Sequence, residues 1–323
     1  MKNRYDLPRS IPTAVKLEVR QNCRFGCVLC RAAVCDYEHI DPPYVDATAH
    51  DANNICLLCQ TCHGNVNRGR ISKNQVRRAY DALRTSAEPG RPRDDIFFQM
   101  FDRRTEVMLG GNTFQVIDTL ISIDGRDYLK YWPTSAMPPF VLSGVFNDDK
   151  GAELFKIEEN EWIGPTDVFD VEQRGATMSI RTKAGHTVFA ATKKPSAGVV
   201  LIDVLDMLVP PFHILAMNGR LYIGRCTPDL AHAIYTSLYR WTVMGGRYGI
   251  LLSSRDIGSG LGQLTFDQRG YRLEGTGISI GPGCASFTIG GITVEGEMAP
   301  DAGLTAPQRF RRMVENRPLD GSL

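Results

Sequence analysis

Two Cys-x-x-Cys knuckles, Cys27-Val28-Leu29-Cys30 and Cys59-Gln60-Thr61-Cys62, constrain this chain more than any other feature. In each knuckle two thiolates sit on one tight turn, so both sulfurs can reach a single ion. Two such turns complete a tetrahedral shell for a structural Zn2+. A small module closed in this way draws much of its folding energy from the metal bonds. Seven of the nine cysteines lie between Cys23 and Cys62, a crowding that points to metal rather than to disulfides. Cys23, Cys35 and Cys56 read as small buried side chains.

The rest of the sequence divides near residue 86. Ser72 can cap a helix running to about Thr85, with Val76, Ala79, Tyr80 and Leu83 on one face; Lys73, Arg77 and Arg84 lie off that stripe, where they could meet phosphates, and read as solvated. A Pro/Gly-rich stretch at residues 86–93 reads as a linker. Beyond it, short apolar runs at residues 140–146, 152–157, 177–180, 199–204 and 212–215 alternate with turn-like Asp124-Gly125, Lys150-Gly151, Ala184-Gly185, Asn218-Gly219 and Arg269-Gly270, the pattern of antiparallel hairpins. Thr227 and Pro228 predict a helix with Leu230, Ile234, Leu238 and Trp241 on one face, and a second short helix is expected near Pro307. The expected organisation is a zinc module at 1–86, a linker at 87–96 and a β-rich domain at 97–323, either sandwich or barrel, with one or two helices. The fold class read from this pattern is α+β.

Charge follows the same division. Residues 1–90 hold 13 Lys/Arg against 9 Asp/Glu, and the remainder holds 24 against 27. A modestly basic N-terminal part is compatible with a phosphate backbone as partner. The opening residues have no apolar core of a signal peptide, and no apolar run is long enough to cross a bilayer, so the expectation is a cytoplasmic protein with no membrane partner.

Between and after the knuckles stand Glu38-His39-Ile40-Asp41-Pro42 and Asn54-Ile55-Cys56-Leu57-Leu58-Cys59, with His63 directly after the last cysteine. Over about residues 14–85 the chain resembles the HNH endonuclease family, in the version whose ββα-metal finger is stapled by four cysteines. The acidic-His-Ile-x-Pro element of that family matches Glu38 to Pro42, and its Asn-x4-Cys-x2-Cys-His element matches Asn54 to His63. The resemblance implies phosphodiester hydrolysis of DNA, with RNA left open, through one Mg2+ or Mn2+. His39 would take the proton of the attacking water, His63 and Glu38 would ligate the ion, and Asn54 would orient His39 or help hold the metal. Where Glu38 stands, many relatives carry Asp. His50 and Asp51 lie close by as rival ligands, and read as loop residues. Imidazole titrates near neutrality, which suits His39 to base catalysis.

No chemistry is legible in the second part, where His186, His213 and His232 lack partners at ligand spacing and Cys226 and Cys284 are isolated. That part would select a target, a partner protein or an activating signal, as such fusions do in restriction and phage-defence effectors. Two other readings compete. One is a non-catalytic zinc finger that recruits a β-domain to nucleic acid. The other takes Cys23-x3-Cys27-x2-Cys30 as the spacing of radical S-adenosylmethionine iron–sulfur enzymes, with Leu17-Glu18-Val19-Arg20 as the preceding strand. That fold needs a succession of β/α units, which the hairpin pattern opposes.

Overall fold

The computed structural model describes residues 2–86, 106–133, 140–148, 150–159, 161–165, 170–194, 198–231, 233–238, 242–252, 272–274, 278–280, 287–289, 293–295 and 304–315. The linker at 87–96, the Arg269-Gly270 turn, His232, Trp241 and Cys284 lie outside the described residues. The chain forms two compact units: residues 1–97 with 160–186, and residues 98–159 with 187–323.

In the first unit, helix α1 (Thr13–Asn22) leads to strand β1 (Asp36–His39), which pairs antiparallel with strand β2 (Ile55–Leu58), Asp36 opposite Leu58 and His39 opposite Ile55. Helix α2 (Gln60–Asn67) begins directly after β2, and helix α3 (Lys73–Thr85) follows. The start of α3 is fixed by a capping box: Gln75 N–H donates to Ser72 Oγ at 3.2 Å, and Ser72 N–H donates to Gln75 Oε1 at 2.8 Å. Its apolar stripe turns inward as the spacing predicts, with Val76 and Tyr80 fully buried. They join Val19, Cys23, Val28, Ile40, Ile55, Cys56, Leu58 and Val66 in one core. Burial of a side chain of this kind contributes roughly 1.5–3 kcal/mol. The Tyr80 hydroxyl is satisfied by donating to the Ala52 carbonyl at 2.7 Å. Leu17–Arg20 lies within α1, so the strand that the radical-enzyme reading needs there is a helix instead.

A hairpin distant in sequence belongs to this unit. Strands Asp170–Arg174 and Thr177–Lys183 pair antiparallel, with Arg174 opposite Thr177. The Asp170 carboxylate receives Arg20 of α1 through both oxygens, each at 2.7 Å, and Trp162 meets Phe25 edge-on with ring centroids 5.4 Å apart. Residues 160–186 were expected with the C-terminal part, because nothing local in them signals a partner 150 positions away.

The second unit is a β-structure. Its sheet runs, by strand, through Thr293–Glu295, Ala233–Leu238, Arg220–Cys226, Phe212–Met217, Val199–Val209, Glu106–Leu109, Asn112–Ile123, Arg126–Pro133, Phe140–Asn147 and Glu153–Glu158. Two of its hairpins turn where the sequence marks them. Asp124-Gly125 and Asn218-Gly219 place both central residues at positive φ (51° and 80°; 54° and 70°), the geometry of tight primed turns that Asn, Asp and Gly accept most readily.

The α+β expectation is overturned. Among the described residues twenty strands stand against four α-helices, and the helices around the cysteines are short. One cause is the segment after Thr227. The predicted helix there is instead a turn, with Leu230 at φ 57°, followed by strand Ala233–Leu238 paired with Arg220–Cys226. Leu230, Ile234 and Leu238 fit a helical period, but the strand pairing overrides it, and Ala233, Tyr235 and Leu238 are buried in the strand. The short helix expected near Pro307 is present as α4 (Ala306–Glu315), and Phe310 on it stacks on Tyr235 with centroids 3.6 Å apart. No described helix is long and apolar enough to cross a membrane.

Candidate metal centre and adjoining polar site

The four knuckle cysteines converge. One sulfur from each of Cys27, Cys30, Cys59 and Cys62 falls within 4.8 Å of all the others, and Cys30 and Cys59 sulfurs are 3.5 Å apart. Four sulfurs at about 2.3 Å from a central Zn2+ stand roughly 3.8 Å from one another. The cluster therefore has the size and donor set of a structural zinc site. The first knuckle is folded by Cys27 N–H donating to the Ala32 carbonyl at 2.8 Å and Arg31 N–H donating to the Cys27 carbonyl at 2.9 Å. In the second, Cys59 caps α2, its sulfur accepting from Cys62 N–H at 3.4 Å.

The thiols are already differentiated. A hydrogen bond from Cys35 brings the Cys27 thiol down to about 4 against the opposing effect of burial, with backbone N–H groups of Cys59, Cys30 and Leu29 adding to the shift. Burial pushes Cys30 up to about 11. Cys35, read from sequence as a buried bystander, is only half-buried and supports the cluster from outside; its thiol also meets the Ala32 carbonyl at 3.0 Å. Cys23 and Cys56 are buried as expected, and the Cys23 sulfur accepts from Leu57 N–H at 3.2 Å.

Two polar groupings flank β1. Adjacent residues of a strand project to opposite sides, so Glu38 and His39 head separate environments. Glu38 Oε2 lies 3.1 Å from His63 Nε2, which the first turn of α2 delivers directly after the cysteine shell. Its other oxygen, Oε1, is engaged by Lys73, whose ammonium also donates to the His39 carbonyl at 2.7 Å. His39 is 8% exposed; its Nε2 lies 3.3 Å from His50 Nδ1, and its ring packs against Tyr44 with centroids 5.5 Å apart. His50 Nε2 faces the Pro8 carbonyl at 2.8 Å; a carbonyl only accepts, so that nitrogen carries a proton. Burial, and after it the neighbouring His50, hold the His39 imidazole below its ordinary value, with Glu38 acting in the opposite direction.

Asn54 is tied down rather than free. Its carbonyl accepts from Ile40 N–H at 2.8 Å, which fixes the end of β1. Its side-chain amide donates to Asp51 Oδ2 and accepts from Arg77, both at 3.0 Å.

Of the site residues named from sequence, the structure thus brings Glu38 and His63 together, places His39 on the neighbouring strand position, and holds Asn54 through Asp51 and Arg77. Sequence reasoning set His50, Lys73 and Arg77 aside as loop and solvated residues, and so missed their contacts with His39, Glu38 and Asn54. The signal for the last two was available: residues four apart on a helix share a face, and both follow the Ser72 cap. In the second unit, His213 is a buried core residue, its Nε2 3.0 Å from Asp206 Oδ1 and its Nδ1 2.8 Å from the Tyr235 hydroxyl. The chain matches no protein-family model, no curated protein and no solved structure.

Proposed function

We propose that the first unit is a divalent-ion-dependent nuclease of the HNH type, acting on DNA, with a structural zinc held by Cys27, Cys30, Cys59 and Cys62. The observation that carries this reading is the Glu38–His63 pair. A carboxylate oxygen and an imidazole nitrogen 3.1 Å apart match adjacent positions of an octahedral shell with bonds of about 2.1 Å, whose neighbours stand roughly 3.0 Å apart. Two protein ligands suffice for Mg2+ or Mn2+, which keep several waters.

In this reading Glu38 and His63 hold the ion, which when bound polarises phosphate oxygens and stabilises the leaving group. His39 takes the proton of the attacking water. Burial, which holds its pKa below the ordinary value, favours the neutral imidazole that a base requires. Asn54 acts from the side, holding the end of β1 through its carbonyl. The second unit selects a target, a partner or a signal, a role that its size and its slightly acidic balance leave open to it.

One observation favours the non-catalytic alternative: Lys73 already neutralises Glu38. Incubation of the zinc-loaded full chain with plasmid, single-stranded DNA and RNA, with and without added Mg2+ or Mn2+, decides between them. Cleavage that depends on the added ion supports the nuclease. Binding without cleavage under every ion condition supports a recruiting module.

A further inference from the structure

We infer that Lys73 is the resident counter-cation of the Glu38 carboxylate and weakens the affinity of the Glu38–His63 pair for a divalent ion. The inference rests on the reading of that pair as an ion site and adds a device that controls its occupancy.

The position of Lys73 is the first indication. It is the first residue of α3, one step after a cap held by reciprocal hydrogen bonds, so its backbone is fixed. A cation in the first turn meets the positive end of the helix dipole, and no acidic residue occupies that turn to compensate. Helix stability therefore does not account for a lysine here.

The contacts supply the account. The Lys73 ammonium reaches out of α3 to both Glu38 Oε1 and the His39 carbonyl, the latter at 2.7 Å, and so spans the end of β1. The Glu38 side chain is 18% exposed and that of Lys73 38%, so the pair is only partly screened by water. One turn further along α3, Arg77 takes the Asn53 carbonyl at 2.7 Å and Asn54 Oδ1 at 3.0 Å. The same helix face thus pins both polypeptide segments that frame the site.

The consequence is electrostatic. Glu38 carries one negative charge and shares it between His63 on Oε2 and Lys73 on Oε1. A dication entering at Oε2 and His63 meets the ammonium on the other oxygen of the same carboxylate. Like charges a few ångströms apart in a half-exposed site oppose each other, and removing one of them raises affinity for the other by about tenfold. Without divalent ion, Lys73 keeps Glu38 from being an uncompensated, largely buried charge.

The test is a titration of the zinc-loaded full chain with Mn2+, followed by the electron paramagnetic resonance signal of free Mn2+. The parent, Lys73→Met, Lys73→Arg and His63→Ala are compared, with zinc content confirming that each is folded. The inference predicts binding about tenfold tighter in Lys73→Met, near-parental binding in Lys73→Arg, and loss in His63→Ala. Binding seen only in Lys73→Met supports it equally, since the ammonium then blocks the site outright. A merely structural lysine would give the opposite sign, weaker binding on removal. Parental binding that requires His63 but is unchanged or weaker in Lys73→Met overturns the role of Lys73 and leaves the ion site standing. No binding in the parent or in Lys73→Met overturns the ion site and this inference with it.

Discussion

Replacing Asp170 with Ala is expected to destabilise the first unit far more than loss of a surface charge would. Asp170 is 3% exposed and Arg20 7%, and the two share bidentate hydrogen bonds of 2.7 Å each. Burial works against the charge on Arg20, but Asp170 and Tyr37 outweigh it and hold the guanidinium pKa above its ordinary value. Without Asp170, that guanidinium keeps the Tyr37 hydroxyl at 2.5 Å and a long contact of 3.5 Å to Glu172. Breaking a buried pair from one side costs about 3–5 kcal/mol, because the other charge stays desolvated. With a urea slope of about 2 kcal/mol/M, the unfolding midpoint falls by about 1.5–2.5 M. Hydrogen exchange in peptides from α1 and from residues 170–183, measured along a urea series, reads this locally. The double replacement Arg20→Met with Asp170→Ala should recover part of the loss, since it removes the orphaned charge. A loss below about 1 kcal/mol, the level of an exposed pair, would refute the view that the hairpin is bound into this unit through that contact.

Three further outcomes are expected. Elemental analysis should find one tightly held zinc per chain, and Cys59→Ala should both release it and open the α2 region to exchange, since one change removes a ligand and the side-chain cap of α2. A fragment ending at residue 86 lacks Asp170 and Trp162, so its α1 should exchange faster than in the full chain even with zinc bound; equal protection would show that the hairpin adds nothing. Acid should loosen the hairpin contact: burial raises the Glu172 pKa, but Arg20, Arg174 and Arg181 together hold it below its ordinary 4.5. A depressed carboxylate contributes stability above its unfolded value that is lost as pH falls through the folded one, so this contribution is complete above about pH 4.5 and declines below it, which urea titrations across pH 3–6 would reveal.

Local features of the sequence were the legible ones. The knuckle spacing located all four cysteines of the cluster, the Ser72 cap and the Val76–Tyr80 stripe located α3, and the Asp-Gly and Asn-Gly pairs located hairpin turns. The closeness of Glu38 and His63 came from a resemblance rather than from spacing, since one stands on β1 and the other on α2, with the loop after β1 and all of β2 between them. What was not legible depends on distant partners. Nothing around Asp170 announces Arg20. Leu230, Ile234 and Leu238 keep a helical period into the strand Ala233–Leu238, and its pairing with Arg220–Cys226, a partner outside the segment, overrides that period. His50 looked like a loop residue because its significance lies in reaching His39 across a turn, with the Pro8 carbonyl behind it.

Whether His39 serves as the base of an ion-dependent nuclease is decided by the rate at which zinc-loaded His39→Ala cleaves plasmid in Mn2+ beside the parent. Removing a general base typically lowers the rate by about a hundredfold or more. A base at His39 predicts a loss of that size, with zinc content and the unfolding transition unchanged. Parental cleavage that persists at an undiminished rate in His39→Ala would contradict it.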